Sequence, residues 1–71
     1  MTDTTLSGRA AANLRAEIAR RNLTQGDFAE KAGISRSALG NVLAGRTAID
    51  LDRLAAFAEI LGIEPAKLLN D

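Results

Sequence analysis

The 71-residue sequence contains no cysteine, histidine, tyrosine or tryptophan, and only two aromatic residues, Phe28 and Phe57. The absence of cysteine excludes disulfides and thiol chemistry, and the joint absence of cysteine and histidine excludes most zinc sites. The carboxylates are scattered, with no neighbouring base to form a catalytic triad, and no phosphate-binding loop is present. We therefore expect no enzymatic activity, no catalytic residue, no metal and no cofactor.

The sequence also lacks long apolar runs. No stretch approaches the roughly 20 apolar residues that span a membrane, and residues 1–7 do not have the basic-then-apolar order of a signal peptide. We expect a soluble intracellular protein that contacts no membrane and has no evident small-molecule ligand.

Apolar residues make up 46% of the chain, led by alanine and leucine, and no segment alternates apolar and polar residues as a strand would. This pattern predicts an all-α fold: a compact bundle of five short helices in one domain. Residues 1–6 are expected to form a disordered N-terminal arm, and 7–71 the domain. The predicted helices run from a cap at Ser7 to about Arg21, from Gln25 to Ala32, from a cap at Ser35 to about Ala44, from Leu51 to Leu61, and from Pro65 to about Leu69. Thr24 and Asp27 predict a capping-box-like start for the second helix, and Asp50 is the expected cap of the fourth.

Helical spacing also predicts the buried residues. They are Ala11, Leu14 and Ile18 in the first helix, and Leu51, Leu54, Phe57, Ala58 and Leu61 in the fourth.

Gly33 separates the second and third helices. A glycine just past a helix end accepts a positive φ cheaply, and two short helices joined by a tight turn with a glycine are typical of a helix-turn-helix unit. The face of the third helix turned away from the predicted core carries Arg36, Ser37, Gly40 and Asn41, with no acidic residue. The absence of a side chain at Gly40 would let this helix approach another surface closely.

The charges are unevenly distributed although the formal net charge is zero. Residues 31–49 contain three cations and no carboxylate, whereas residues 54–71 contain one cation and three carboxylates. The total argues against a nucleic-acid partner, but the basic segment coincides with the third helix and favours one.

Two segments, LTQGDFAEKAGISRSALGNVLAGR and LDRLAAFAEILGIEPAKLL, resemble the helix-turn-helix domain of phage Cro and lambda-type repressors, the XRE-type family. The resemblance runs without a gap from about Leu14 to Leu69. It implies a DNA-binding domain whose third helix enters the major groove while the first passes near the backbone.

The resemblance also implies which residues contact DNA. Gln25 would bind a phosphate and brace the base-reading side chains, and Gly26 would leave room for that phosphate. Arginine can donate two hydrogen bonds to guanine, and asparagine can pair with adenine. The implied contacts to base edges are Arg36, Ser37 and Asn41; the implied contacts to the DNA backbone are Gln25, Gly26, Ser35, Arg46 and Thr47.

The sequence departs from the family pattern at three matched positions, and one of them is Ile49, where the family usually has a proline after the third helix. Many members have an arginine in the first helix and a glutamate at the end of the third, which form a partly buried ion pair. Here those positions hold Ile18 and Leu43. Exchange of a charge pair for an apolar contact can be neutral or stabilising, so we expect both side chains to be buried and in contact.

These features predict a sequence-specific regulator of transcription, a repressor that binds a double-stranded operator as a homodimer in a bacterial nucleoid or a phage-infected cell. Because the fold ends after the fifth helix, we expect the dimer contact near Ile63, Leu68 or Leu69. The alternative is a protein-interaction module that has kept the fold and lost DNA binding, which the zero net charge and Gly40 would suit.

Overall fold

The structure, a computed structural model, describes residues 6–70, and the side chains of residues 8–70. In this range it is all-α, as predicted, with four α-helices followed by a short 3-10 turn. The helices are α1 (Leu6–Arg20), α2 (Gln25–Ala32), α3 (Arg36–Leu43) and α4 (Leu51–Leu61), and the turn is Pro65–Leu68. None of the helices in this range is long and apolar enough to cross a membrane.

The expected fifth α-helix is instead this single 3-10 turn. The backbone N–H of Lys67 donates to the carbonyl of Glu64 at 3.0 Å, and that of Leu69 donates to Ala66 at 3.0 Å. Both bonds span three residues rather than four. A four-residue segment is too short to establish an α-helical ladder, whereas 3-10 geometry is common in such short pieces.

The first helix differs from the prediction at its start. It begins at Leu6, so Ser7 lies within its first turn and the predicted cap at Ser7 is wrong. Leu6 had been assigned to the disordered arm; residues 1–5 of that predicted arm lie outside the described residues. The helix ends at Arg20, and Asn22 follows with a φ of 58°, a conformation that asparagine tolerates better than most residues.

The caps of α2, α3 and α4 agree with the sequence. Thr24 Oγ1 accepts from the Asp27 backbone N–H at 2.9 Å, while Asp27 Oδ2 accepts from the Thr24 N–H at 3.3 Å. Ser35 and Asp50 cap α3 and α4 by accepting from backbone N–H groups three residues on. These side chains satisfy amides that have no partner within the helix, and they set where each helix begins.

One apolar core joins all four helices and the 3-10 turn. The rings of Phe28 and Phe57 lie at its centre, edge to face, with their centroids 5.4 Å apart. The fully buried large side chains are Phe28, Phe57, Leu14, Leu39, Leu68 and Val42.

Leu51 does not belong to this core, and its predicted inward position is wrong. Its side chain is 80% exposed, whereas Leu54, Phe57, Ala58 and Leu61 are buried as predicted. Leu51 continues the apolar stripe of α4 by spacing. It is the first residue of that helix, however, and there it lies beyond the elements that cover the rest of the stripe.

Ile18 and Leu43 are both buried, with 4% and 3% of their surfaces exposed, and both belong to the core cluster. Arg15, three residues before Ile18 on α1, donates from Nη1 to the backbone carbonyl of Leu43. A carbonyl at the end of α3 that has no partner within the helix is thereby satisfied by a cation from α1. This contact ties α1 to the end of α3.

Candidate nucleic-acid interface

The turn between α2 and α3 is built from backbone hydrogen bonds around Gly33, whose φ is 71°. The Gly33 N–H donates to the Glu30 carbonyl at 3.2 Å, and the Ile34 N–H donates to the Ala29 carbonyl at 3.0 Å. Ala29 is buried, as expected for a small residue where two helices approach. The turn therefore sets the angle at which α3 leaves α2.

One side of α3 is buried and the other carries its polar side chains. Leu39, Val42 and Leu43 face the core. Arg36, Ser37 and Asn41 are exposed, and Gly40 lies among them, half-buried. A Cβ placed on Gly40 would meet nothing within 4 Å, so the space above this glycine is open. Together these residues form an exposed surface of hydrogen-bonding groups without a carboxylate.

At the start of this surface, Arg36 crosses from α3 to α2. Its guanidinium lies against Gly26: an ideal Cβ on Gly26 would be 2.6 Å from Arg36 Nη2 and 2.7 Å from Nε. The room that the sequence suggested for a phosphate above Gly26 is thus occupied by Arg36 in the isolated protein. The contact brings the first turn of α2, with Gln25, onto the same surface as the first turn of α3.

At the far end of α3, Asn41 holds the loop that follows the helix. Its backbone carbonyl accepts from the Arg46 N–H at 2.9 Å and from the Thr47 N–H at 3.3 Å. Its side-chain Oδ1 accepts from Arg46 Nη1 at 3.3 Å. The amide nitrogen of Asn41 makes none of these bonds. The structure thus places Arg46 and Thr47 next to Asn41, with both side chains exposed.

The remaining predicted contacts lie at helix starts. Ser35 Oγ accepts from the Ala38 backbone N–H at 3.0 Å, so its hydroxyl caps α3. Gln25 is exposed as the first residue of α2. Of the eight residues implied by the resemblance, seven are exposed, and the eighth, Gly26, is half-buried against the Arg36 guanidinium.

One carboxylate borders this surface. Hydrogen bonds from the hydroxyl and then the backbone N–H of Thr24 lower the pKa of Asp27, and the nearby charges of Lys31 and Arg36 contribute further. Asp27 is therefore ionised at neutral pH. Its charge offsets part of the Arg36 charge at the start of α3, while Arg46 at the other end has an amide oxygen for a neighbour.

Arg15 is a cation near this surface that is not among the predicted contact residues. It lines a cleft of about 190 Å³ together with Gln25, and the other lining residues are Ile18, Ala19, Leu23 and Leu43. Arg15 thus adds a positive charge beside the predicted phosphate-binding glutamine. The sequence did contain a signal for Arg15. Arg15 lies one helical turn before Ile18, on the face of α1 that packs on α3.

A known family model covers most of the chain. A family model described as "Helix-turn-helix" matches residues 14–68. No curated protein sequence gives a significant match.

Three solved structures share the fold over most of their length. The restriction-modification controller protein C.AhdI from Aeromonas hydrophila is 30% identical, with a TM-score of 0.79 over 84% of this chain and 91% of that one. The clp gene regulator ClgR from Corynebacterium glutamicum is 27% identical, with a TM-score of 0.87 over 94% and 87%. A hypothetical transcription factor, NHTF, from Neisseria is 26% identical, with a TM-score of 0.87 over 93% and 76%.

The family match includes α2, the Gly33 turn, α3 and the loop that Asn41 holds. The three structural neighbours, a restriction-modification controller, a gene regulator and a hypothetical transcription factor, superpose on 84% or more of the chain. The chain therefore belongs to the helix-turn-helix family of DNA-binding transcription regulators, in its Cro and lambda-repressor-like (XRE-type) branch.

Proposed function

We propose that this protein is a sequence-specific repressor that reads a double-stranded operator with α3 in the major groove. The observation that carries the proposal is the exposed face of α3. It presents Arg36, Ser37 and Asn41 around an open glycine position, opposite a fully buried face. An α-helix fits the major groove, and these side-chain types match the donors and acceptors on base edges.

The DNA backbone contacts follow from the same placement. Gln25 at the start of α2 and Ser35 at the start of α3 are exposed beside Arg36, and Arg46 and Thr47 follow the end of α3. Backbone amides at a helix start, hydroxyls and arginine side chains are the groups that bind phosphates. We propose that these residues set the position of α3 on the DNA while Arg36, Ser37 and Asn41 set the preferred sequence.

We further propose that the protein acts as a homodimer in the bacterial nucleoid. One recognition helix reaches too few base pairs for useful specificity, and a two-fold dimer doubles the number read. The surface expected near Ile63, Leu68 and Leu69 is poorly suited to this contact: Leu68 is fully buried, and the other two pack against the core. Within residues 8–70, Leu51 is the large apolar side chain that is left exposed. We therefore propose Leu51 as the alternative position for the dimer contact.

Selection of bound fragments from random double-stranded DNA, with the purified protein, tests the proposal. We expect a conserved motif with two related half-sites, and repression of a reporter gene placed downstream of it. A pool without any enriched motif would contradict sequence-specific binding. C.AhdI is a restriction-modification controller protein. The genes beside this one would show whether a similar context applies.

The second candidate is a protein-interaction module on the same fold. The zero net charge and the Asp27 carboxylate beside Arg36 favour it, because both weaken attraction to DNA. It predicts DNA binding that is weak and insensitive to salt. A binding constant that falls steeply as salt is raised would exclude it, since release of counterions accompanies phosphate contacts.

A further inference from the structure

We infer that Gly26 determines how Arg36 reads its base pair, as a positioning residue that touches the reading side chain rather than the base. The inference rests on the proposed function. The contact between Gly26 and Arg36 joins two helices, so the direction of a side chain on α3 depends on a residue in α2.

The geometry shows why glycine is needed at this place. Nη2 and Nε of Arg36 would lie 2.6 and 2.7 Å from a Cβ at position 26, and Cζ would lie 3.0 Å away. These distances are too short for non-bonded contacts to a carbon. Any side chain at position 26 would therefore displace the guanidinium from its present position.

The backbone of α2 gives no other reason for a glycine there. Gly26 is not among the residues with a positive φ, which among the glycines are Gly33, Gly45 and Gly62. It lies in the first turn of a regular helix, where alanine is more favourable than glycine. The missing side chain is thus explained by the space that Arg36 occupies.

The contact limits the directions that Arg36 can take. An exposed arginine loses considerable rotamer freedom on binding, and a guanidinium already supported along one side loses less. Bidentate bonding to a base also requires that the guanidinium plane have a defined orientation. The neighbouring Asp27 charge, which interacts with Arg36, favours the same position beside α2.

The test is the substitution Gly26→Ala, measured alone and combined with Arg36→Ala. The displaced group is the end of a flexible side chain, so the helix remains in place and the protein stays folded. Affinities are measured on the selected operator and on its single-base variants. We expect Gly26→Ala to reduce discrimination at one base pair, the one that Arg36→Ala also affects, by at least about fivefold.

The double variant separates this role from a contact between Gly26 and DNA. If Gly26 acts through Arg36, adding Gly26→Ala to Arg36→Ala produces no further change in base preference. An equal additional loss in both backgrounds would instead show that Gly26 contacts the phosphate directly, and would overturn the inference.

A measurement without DNA keeps this test distinct from that of the proposed function. The Arg36 Nε–H resonance in a ¹⁵N-labelled sample should shift in Gly26→Ala, with the α-helical circular dichroism retained. If the wild-type protein selects no DNA sequence, the proposed function fails and this inference fails with it. If the wild type selects an operator and Gly26→Ala discriminates equally well, only the positioning role of Gly26 is wrong.

Discussion

Arg36 and Arg46 are both exposed cations near α3, yet they have different surroundings. Arg36 belongs to the first turn of α3 and lies against α2, whereas Arg46 lies beyond the helix and donates to Asn41. In the proposed docking, the start of α3 meets base edges and the loop after it meets the DNA backbone. The two residues should therefore affect binding in different ways.

Replacing Arg36 by alanine should weaken binding to the preferred operator by about 1–3 kcal/mol and relax the choice at one base pair. The loss is specific because the bidentate bonds to guanine disappear while the backbone contacts remain. Fluorescence anisotropy with a panel of single-base operator variants measures it. Equal weakening on every variant would mean that Arg36 contacts the backbone, and that α3 is wrongly placed.

Replacing Arg46 by alanine should weaken binding to all sequences alike. It should also reduce the slope of log K against log salt by roughly one unit, as expected for the loss of one phosphate contact. Titrations at three salt concentrations give this slope. A changed base preference would be the contrary outcome, and it would mean that Arg46 acts through its bond to Asn41.

Truncation of Ile18 should destabilise the fold. Ile18 is buried, belongs to the same core cluster as Leu43, and lines the same cleft. Ile18→Ala should lower the free energy of unfolding by about 2–5 kcal/mol, because it removes apolar contacts and leaves a cavity. Urea denaturation followed by circular dichroism measures the change. Ala12→Gly, at an exposed position on the same helix, is a control for helix propensity alone.

At the scale of the elements, α1 contains a charged cluster near its C-terminal end. Glu17 is the one charged side chain that the described part of the chain buries. It pairs with Arg20 at 2.6 Å and with Arg21, which also donates to the Leu61 carbonyl. Hydrogen bonding to Arg21, opposed by burial, lowers the pKa of Glu17. The cluster thus connects α1 to the end of α4.

This lowered pKa predicts a dependence of stability on pH. A carboxyl whose pKa is lower in the folded than in the unfolded state stabilises the fold above its unfolded pKa, and the stabilisation is lost as pH falls through the folded value. The melting temperature should therefore decrease as pH falls below the ordinary value of 4.5. Glu17→Gln should flatten this decrease, and the exposed Glu30→Gln should not. Identical profiles for Glu17→Gln and the wild type would contradict the assignment.

The open position at Gly40 allows a test of whether this face of α3 lies close to DNA. Gly40→Ala should stabilise the isolated protein by up to about 1 kcal/mol, since alanine favours helix and its Cβ would meet nothing within 4 Å. The same Cβ should weaken operator binding if this face lies close to DNA. Thermal unfolding and operator affinity, measured on one preparation, separate the two effects. A more stable variant with unchanged affinity would mean that this face of α3 does not lie close to DNA.

The elements that the sequence predicted best are those whose limits are set locally. The Thr24–Asp27 pair, the Ser35 and Asp50 caps and the Gly33 turn each involve residues within five positions of one another. The exposure of Leu51 could not be predicted in this way. The spacing of α4 favours an inward position, and only the arrangement of the other helices shows that nothing covers it.

The candidate site was predictable in composition but not in detail. Helical spacing placed Arg36, Ser37 and Asn41 on one face, and the structure agrees. The contact of Arg36 with Gly26 depends on the packing angle of two helices and on one rotamer, and neither has a signature in the sequence. The hydrogen bond from Arg15 to the Leu43 carbonyl on α3 likewise has no signature in the sequence.

At the scale of the whole molecule, the proposed dimer predicts the layout of the operator. Two half-sites should lie about 34 Å apart, one turn of the duplex, so that both α3 helices enter the same face of the DNA. Footprinting should show paired protected regions. A single unrepeated site, saturated by one protein molecule, would mean that the protein acts as a monomer.

The surface that joins the two copies is testable by comparing two charged substitutions. Leu51→Asp should reduce self-association and the cooperativity of operator binding, because burying a carboxylate between two copies is unfavourable. Ala66→Asp adds the same charge at an exposed position of the 3-10 turn. This turn lies within the segment 63–69 where the sequence predicts the dimer contact. Sedimentation equilibrium shows which variant becomes monomeric. A stronger effect of Ala66→Asp would return the contact to that segment.

The edge-to-face pair of Phe28 and Phe57 has a practical consequence for spectroscopy. These are the only aromatic rings in the sequence, so every large ring-current shift in a proton spectrum must arise from one of them. Phe28 lies on α2 and Phe57 on α4, so the pair joins the helix-turn-helix unit to α4. Methyl and ring protons in the core near the pair thus form a native probe that needs no label. Their shifts would report whether the helix-turn-helix keeps its packing when it binds DNA.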